Sequence, residues 1–133
     1  MELQFSNSAI IIETLSQIKK AIKQLLDWNN GITSYEEYLS SQEGTKVLAA
    51  NCMLLEAIGE GIKKIDRKTN ISLLILRPEI PWPEMMGMRD HIAHGYFDID
   101  AELIYTTIKN DLPPLLDAIE FIISHLTHLK QQP

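Results

Sequence analysis

Apolar residues recur at helical spacing in the first half of the chain and predict two long helices. In the first helix the apolar positions alternate between steps of four and three residues, and Asn29–Gly31 supplies a turn that ends it. A second stripe of this kind ends near Asn70. The stripe residues are Ile11, Leu15, Ile18, Ile22 and Leu25 in the first helix and Leu48, Leu55, Ile58, Ile62 and Ile65 in the second. Each helix therefore has an apolar face to bury against a neighbour.

Two serine–glutamate pairs between the two apolar stripes predict helix starts. Ser34 with Glu37 has capping-box spacing and predicts a short helix that reaches about Leu39. Ser40 with Glu43 repeats the spacing and predicts the start of a further helix.

Prolines and glycines divide the second half of the chain. The stretch 77–85 contains three prolines and must be an irregular connection, which a helix from about Pro83 follows. Glycine commonly terminates helices, so we expect this helix to end near Gly95. Before it, Ser72–Arg77 is a strand-like piece, but it is short and isolated.

A last long helix is predicted from Ala101 to about Leu129. Asp98 or Asp100 can cap its start, and Pro113–Pro114 must kink or restart it. The elements together predict an all-α fold, a bundle of four or five helices in one domain that spans residues 1–133.

Composition and charge narrow the class of protein. Of the 133 residues, 45% are hydrophobic and 23% are charged, as in an ordinary globular protein. Cys52 is the single cysteine, so it cannot form an internal disulfide, and a reducing compartment fits. We expect a cytoplasmic protein, because the N-terminus lacks a basic targeting segment and no apolar run reaches the ~20 residues of a membrane span. The net charge of −6 argues against bulk electrostatic binding of long duplexes but allows a small site with a few cations.

One segment concentrates chemistry, because Arg89, His91, His94 and Tyr96 lie within eight positions. If Met85–His94 is helical, Arg89 and His94 are about 7.5 Å apart along the axis and ~140° apart around it, so the spacing permits one pocket without requiring it. RNA cleavage without a metal needs a base for the 2′-OH proton and a cation for the phosphoryl oxygens. We assign His94 to proton transfer and Arg89 to the phosphate. His91, Tyr96 or a residue of a second subunit would supply the second proton carrier.

Structural roles explain the same residues if spacing alone is considered. Arg89 can pair with Asp90 or Glu84 at the surface, and His94 can interact with the dipole at a helix terminus. Tyr96–Phe97 can simply lie in the core. No set of cysteine and histidine residues with ligand spacing indicates a metal site.

Three segments together resemble the HepT-like branch of the HEPN superfamily. They are PEIPWPEMMGMRDHIAHGYFDID at residues 78–100, DLPPLL at 111–116 and AIGEGIKKI at 57–65. The most specific element is Arg89, followed by His94 after four residues and by Tyr96 after one more. The resemblance runs from the first predicted helix to the last.

The resemblance implies a small helical homodimer with a metal-independent RNase site at the dimer cleft and no cofactor. Arg89 and His94 would be its catalytic residues. Many members are toxins of toxin–antitoxin pairs whose antitoxin is a minimal nucleotidyltransferase. In some systems this partner attaches AMP to the tyrosine that corresponds to Tyr96. An adenylate there would place negative charge and bulk where the RNA phosphate should bind.

Neighbouring acidic residues and an alternative function complete the sequence-based hypothesis. Asp90 stands where members often have asparagine, and its carboxylate can either hold Arg89 or repel RNA phosphate. Glu60 is a candidate to hydrogen-bond Arg89 from the neighbouring helix, while Glu56 is explained as well by a solvated face. The main alternative function is a binding module with weak or no catalysis that docks to the nucleotidyltransferase.

Overall fold

The computed structural model describes residues 5–69, 73–95 and 97–130, with side chains from residue 8 to residue 129 within those ranges. The α-helices in these ranges are α1 (Phe5–Trp28), α2 (Gln42–Thr69), α3 (Trp82–Met86), α4 (Met88–Ile92), α5 (Ala101–Thr106) and α6 (Leu112–Lys130). A π turn, Thr107–Asp111, joins α5 to α6, and 3₁₀ turns lie at Tyr35–Tyr38 and Leu74–Leu76, so the strand-like piece near residue 74 is not a strand. The described residues form no strand, which confirms the all-α prediction.

The two predicted apolar stripes form the centre of the core. Every stripe residue of α1 and α2 is buried. Helix α1 packs against both α2 and α6. Helix α6 adds Leu112, Leu115, Ala118, Ile119, Ile122 and Leu126 to the same core. Burial of this apolar surface is the main contribution to the stability of the fold. The packing of α1 against α2 and α6 confirms the predicted helical bundle.

The start of α2 differs by one residue from the predicted cap. Ser41 Oγ accepts a hydrogen bond from the Gly44 N–H at 2.9 Å, whereas Ser40 donates to the Glu37 carbonyl. Gly44 permits the close approach of α2 to the preceding turn, because a Cβ at that position would collide with the Glu37 carbonyl oxygen. The helix predicted after Ser34 is a 3₁₀ turn instead, held by the Glu37 carboxylate, which accepts the Ser34 N–H at 3.0 Å.

A buried polar network fixes the connection between α1 and α2. Tyr38 Oη donates to Asn29 Oδ1 at 2.6 Å, and the side chains of Asn29 and Asn51 exchange hydrogen bonds of 2.9 and 3.0 Å. Lys109 of the π turn donates to the Asn29 carbonyl at 2.8 Å. A buried polar group without a partner would be costly, so this network specifies how the chain turns here.

The helix predicted to end at Gly95 is divided at Gly87 and ends three residues early, with α4. Ala93 is extended and forms an antiparallel bridge with Ile99. This pairing gives the backbone hydrogen-bond partners outside a helix. Gly95 therefore lies in the loop between the bridged residues, with a φ of +123° that favours glycine.

The last long helix follows the prediction except at its prolines. Asp100 is the cap, rather than Asp98, because its Oδ1 accepts the Leu103 N–H at 3.0 Å. The π turn immediately precedes α6, which contains Pro113–Pro114. A proline ring clashes with the carbonyl four residues earlier and donates no N–H, and the wider π turn accommodates both effects. The π turn is therefore the point at which the last helix restarts, as its prolines predict.

Candidate active site

Helix α4 holds Arg89 at the surface beside α2. Met88 and Ile92 of this short helix are buried, and α4 packs against α2. Residues four apart share one face of a helix, so the intervening Arg89, Asp90 and His91 are exposed. The Arg89 side chain keeps 66% of its accessible surface.

Arg89 forms an ion pair with Glu56 of α2. Its Nη1 lies 3.4 Å from Glu56 Oε1, and the Glu56 side chain is 44% exposed. The sequence offered Glu60 as one candidate for this contact, but Glu60 lies one turn further along α2 and pairs with Lys63 at 3.3 Å. Among the described residues, the carboxylate that pairs with Arg89 is therefore neither Glu60 nor the adjacent Asp90.

His94 lies in the loop between Ala93 and Ile99 and not on a helix. Its N–H donates to the Asp98 carbonyl at 3.3 Å, and the Asp98 N–H donates to the Gly95 carbonyl at 3.2 Å. These bonds close a tight loop that leaves the His94 side chain exposed. The helical geometry assumed for His94 is therefore wrong, because the helix ends two residues before it.

Two neighbouring cavities share Ala93 and Ile99 as lining residues. His94 lines one cavity, of about 500 Å³. Arg89 and Glu56 line the other, of about 270 Å³. Within one chain, the two candidate catalytic residues thus line neighbouring cavities and not a single one.

The His94 cavity contains a second histidine and several carboxylates. His91 lines it, and His91 also lines a further cavity of about 310 Å³ with Glu84 and Asp111. The other polar residues of the His94 cavity are Tyr35, Asp98, Asp100 and Glu102. Carboxylates disfavour a phosphate and favour groups that donate hydrogen bonds. His91 therefore shares a cavity with His94, and Glu56 shares the other cavity with Arg89.

The Arg89 cavity combines charged and apolar side chains of α2 with the guanidinium of α4. Cys52 and Met53 line it together with Glu56 and Arg89. Burial raises the pKa of the Cys52 thiol, and the negative charge of Glu56 raises it further. The Glu56 carboxylate therefore acts on the cavity as well as on Arg89.

The structure tests the core role considered for Phe97 but not the role of Tyr96. Tyr96 lies outside the described residues, so its modification stays a prediction, although the preceding Gly95 lines the Arg89 cavity. Phe97 is 98% exposed, so the core role considered for it is wrong.

The described residues contain neither a cluster of metal ligands nor a helix that could span a membrane. Three or more histidine, cysteine, aspartate or glutamate side chains are nowhere in these ranges grouped so that they could hold a metal ion. No described helix combines the length and the apolar composition that crossing a membrane requires.

Sequence reasoning missed Glu56 and Tyr35 as residues of the candidate site. Glu56 lies four residues after Cys52, so the spacing indicates that the two share a face of α2 that is separate from the apolar stripe. That spacing cannot show that α4 covers this face. Tyr35 reaches the His94 cavity through the 3₁₀ turn, which the capping signal placed but did not orient.

Comparison with known proteins matches the chain to one family. A family model described as "Ribonuclease HepT-like" matches residues 9–122. A protein of Thermococcus cleftensis named "Probable ribonuclease HepT" is 35% identical over 106 residues, which cover 80% of this chain and 89% of that protein. A protein of Methanocaldococcus jannaschii with RNase in its name is 30% identical over 112 residues, 84% of this chain and 86% of that protein. Another from the same organism, also with RNase in its name, is 35% identical over 92 residues, 69% of this chain and 73% of that protein.

No solved structure matches the chain significantly. The family match spans most of the chain and includes the Arg89, His94 and Tyr96 positions on which the sequence resemblance was based. The chain therefore belongs to the HepT-like ribonuclease family.

Proposed function

We propose that this chain is an endoribonuclease that cleaves RNA without a metal, with Arg89 and His94 as its catalytic residues. The observation that carries the proposal is the exposure of both side chains, Arg89 on α4 and His94 in the loop that follows it, where they line neighbouring cavities. Membership of a family described as ribonucleases supports the same activity.

The proposed reaction is attack by a ribose 2′-OH on the adjacent phosphodiester. His94 takes the hydroxyl proton, the 2′ oxygen bonds to phosphorus, and the bond to the 5′ oxygen of the next nucleotide breaks. Arg89 binds the non-bridging oxygens and stabilises the charge that develops on them. The leaving 5′ oxygen takes a proton from a second carrier, for which His91 is a candidate because it shares the His94 cavity. The products are a 2′,3′-cyclic phosphate and a 5′-OH.

We also propose that the active form is a homodimer with the site in its cleft. Within one chain Arg89 and His94 line different cavities, so a second copy would bring a further guanidinium and a further imidazole to one groove. Two copies would also concentrate positive charge locally on a protein whose net charge is −6.

In this proposal the enzyme is a cytoplasmic toxin that a nucleotidyltransferase antitoxin restrains. The antitoxin would transfer AMP from ATP to the Tyr96 hydroxyl and release pyrophosphate. Tyr96 follows Gly95, a lining residue of the Arg89 cavity, so the phosphate of the adenylate would compete with RNA for Arg89.

A binding module is the second candidate function. It is favoured by the observation that Arg89 already has a carboxylate partner, Glu56, and does not share a cavity with His94 in one chain. Such a protein would dock to the nucleotidyltransferase without cutting RNA efficiently.

RNA cleavage in EDTA distinguishes the two functions. Purified protein, free of any partner, should cut RNA to 2′,3′-cyclic phosphate and 5′-OH ends, and a 2′-deoxy nucleotide at the cleaved position should block the reaction. Persistent failure to cut RNA would favour the binding module. Cutting at the 2′-deoxy position would refute the proposed chemistry.

Mass spectrometry tests the proposed regulation. After co-expression with the nucleotidyltransferase, the peptide that contains Tyr96 should gain the mass of AMP, and Tyr96→Phe should escape both modification and inhibition. An antitoxin that neutralises the Tyr96→Phe variant fully would contradict this part of the proposal.

A further inference from the structure

We propose that Glu56 is the positioning residue for Arg89. The inference rests on the proposed function, because it requires Arg89 to bind the substrate phosphate. It starts from one contact between helices that are distant in the sequence, the 3.4 Å approach of Arg89 Nη1 to Glu56 Oε1.

This contact places a carboxylate beside the guanidinium without occupying all of its donors. The structure pairs one nitrogen, Nη1, with one carboxylate oxygen, and does not form the two parallel bonds of a bidentate pair. A guanidinium carries five N–H donors in a planar fork. The donors on Nε and Nη2 therefore remain to bind two oxygens of a phosphate.

Arg89 needs such a partner because its own helix restrains it weakly. It lies on a helix of five residues, and its side chain is 66% exposed. A long exposed side chain loses rotamer entropy when it binds a ligand, and a contact that orients it beforehand reduces that loss. Glu56 is the less exposed partner and lies within the 28-residue helix α2, which makes it the firmer support.

Glu56 also affects the charge that a phosphate meets. Its carboxylate lines the Arg89 cavity and contributes to the raised pKa of Cys52 in that cavity, after burial. A phosphate that enters must therefore approach a carboxylate as well as a guanidinium. The two effects oppose each other, because Glu56 weakens ground-state binding of the phosphate while it fixes the geometry of the group that stabilises the transition state.

Two substitutions separate these effects through KM and kcat. Glu56→Gln keeps a side-chain oxygen that can accept a hydrogen bond from Arg89 but removes the charge, so KM should fall about two- to fivefold while kcat stays within about twofold of wild type. Glu56→Ala removes the acceptor as well, so kcat should fall about three- to tenfold. Rescue of kcat by glutamine relative to alanine is a result that a purely structural role would not give.

Glu43→Gln is the matched control. Glu43 is exposed on the same helix and lines neither the Arg89 nor the His94 cavity, so this variant changes the net charge equally and should keep wild-type kcat and KM. Circular dichroism of Glu56→Ala should show intact helices, because alanine has a higher helix propensity than glutamate. The inference is overturned if Glu56→Ala keeps wild-type kcat and KM. It is also overturned if Glu56→Gln loses as much kcat as Glu56→Ala, because the charge and not the contact would then matter.

A spectroscopic measurement keeps this inference separate from the proposed function. If the wild-type chain does not cut RNA, the proposed function fails, yet the contact can still be tested by NMR. The Nε–H resonance of Arg89 should shift in Glu56→Gln and stay in place in Glu43→Gln. An unchanged Arg89 resonance in Glu56→Gln would overturn the contact whatever the outcome of the cleavage assay.

Discussion

At the residue scale, the two candidate catalytic groups occupy different electrostatic surroundings. Arg89 lines a cavity with the single carboxylate of Glu56, whereas His94 lines a cavity with Asp98 and Glu102 among its polar residues. A phosphate is favoured beside the guanidinium. A hydroxyl or base amino group that donates hydrogen bonds is favoured beside the carboxylates. This division suits a reaction in which one residue binds the phosphate and the other takes the proton of a neighbouring 2′-OH.

Arg89→Lys tests whether the shape of the cation matters as well as its charge. Lysine keeps the positive charge but lacks the planar fork that binds two phosphate oxygens at once, so kcat/KM should fall about ten- to hundredfold. Steady-state cleavage of a short RNA measures the effect. Full activity of the lysine variant would show that Arg89 acts only as a point charge.

At the scale of elements, the loop after α4 decides where His94 lies. The bridge between Ala93 and Ile99 closes this loop, and Gly95 permits its tight course through a φ of +123°. The loop thus depends on one backbone conformation that residues with a Cβ rarely adopt.

Gly95→Ala should strain this loop without creating a collision. A Cβ there would have no atom within 4 Å, so the cost comes from the backbone alone and should be about 1–2 kcal/mol. RNA cleavage should also fall, because His94 precedes this glycine. Gly31→Ala is the control, since a Cβ there also meets nothing within 4 Å and Gly31 is not among the positive-φ glycines. Equal urea stability and equal activity of the two variants would contradict the role assigned to the Gly95 backbone.

The sequence predicts the elements better than it predicts how they meet. The stripes of α1 and α2 and the placement of a cap at Asp98 or Asp100 follow from local spacing, which is a property of the sequence alone. The early end of α4 does not, because it depends on the pairing of Ala93 with Ile99 and not on the helix propensity of the residues between. The Glu56–Arg89 pair is equally hidden, since it exists only where α4 packs on α2.

At the scale of the whole molecule, long-range polar contacts hold the helices in register. The network of Tyr38, Asn29 and Asn51 joins the 3₁₀ turn to α2, and Lys109 adds the π turn before α6. Arg77 makes a second long-range contact by pairing with Asp117 of α6 at 2.9 Å. Such contacts specify one arrangement of helices whose apolar faces alone would allow several.

Tyr38→Phe tests the network through its pH dependence. Burial raises the pKa of Tyr38 to about 12 from an ordinary value of 10. The stability that this provides is complete below pH 10, where the unfolded tyrosine is still protonated, and is lost as the pH rises to about 12. Urea unfolding should therefore show a steeper loss of stability above pH 10 in wild type than in Tyr38→Phe. At pH 7 the variant should be less stable by about 1–2 kcal/mol, because Asn29 loses a buried donor. Parallel pH profiles for the two proteins would contradict this account.

The central claim is that Arg89 and His94 act together on the phosphodiester of RNA. Cleavage in EDTA by wild type, Arg89→Ala, His94→Ala and His125→Ala, at matched oligomeric mass, tests it most directly. His125 stacks on Phe121 of α6 and lines neither candidate cavity, so it controls for the loss of a histidine elsewhere. We predict that Arg89→Ala and His94→Ala each reduce kcat by at least about a hundredfold while His125→Ala cuts at the wild-type rate. Equal cleavage by all four proteins would contradict the claim.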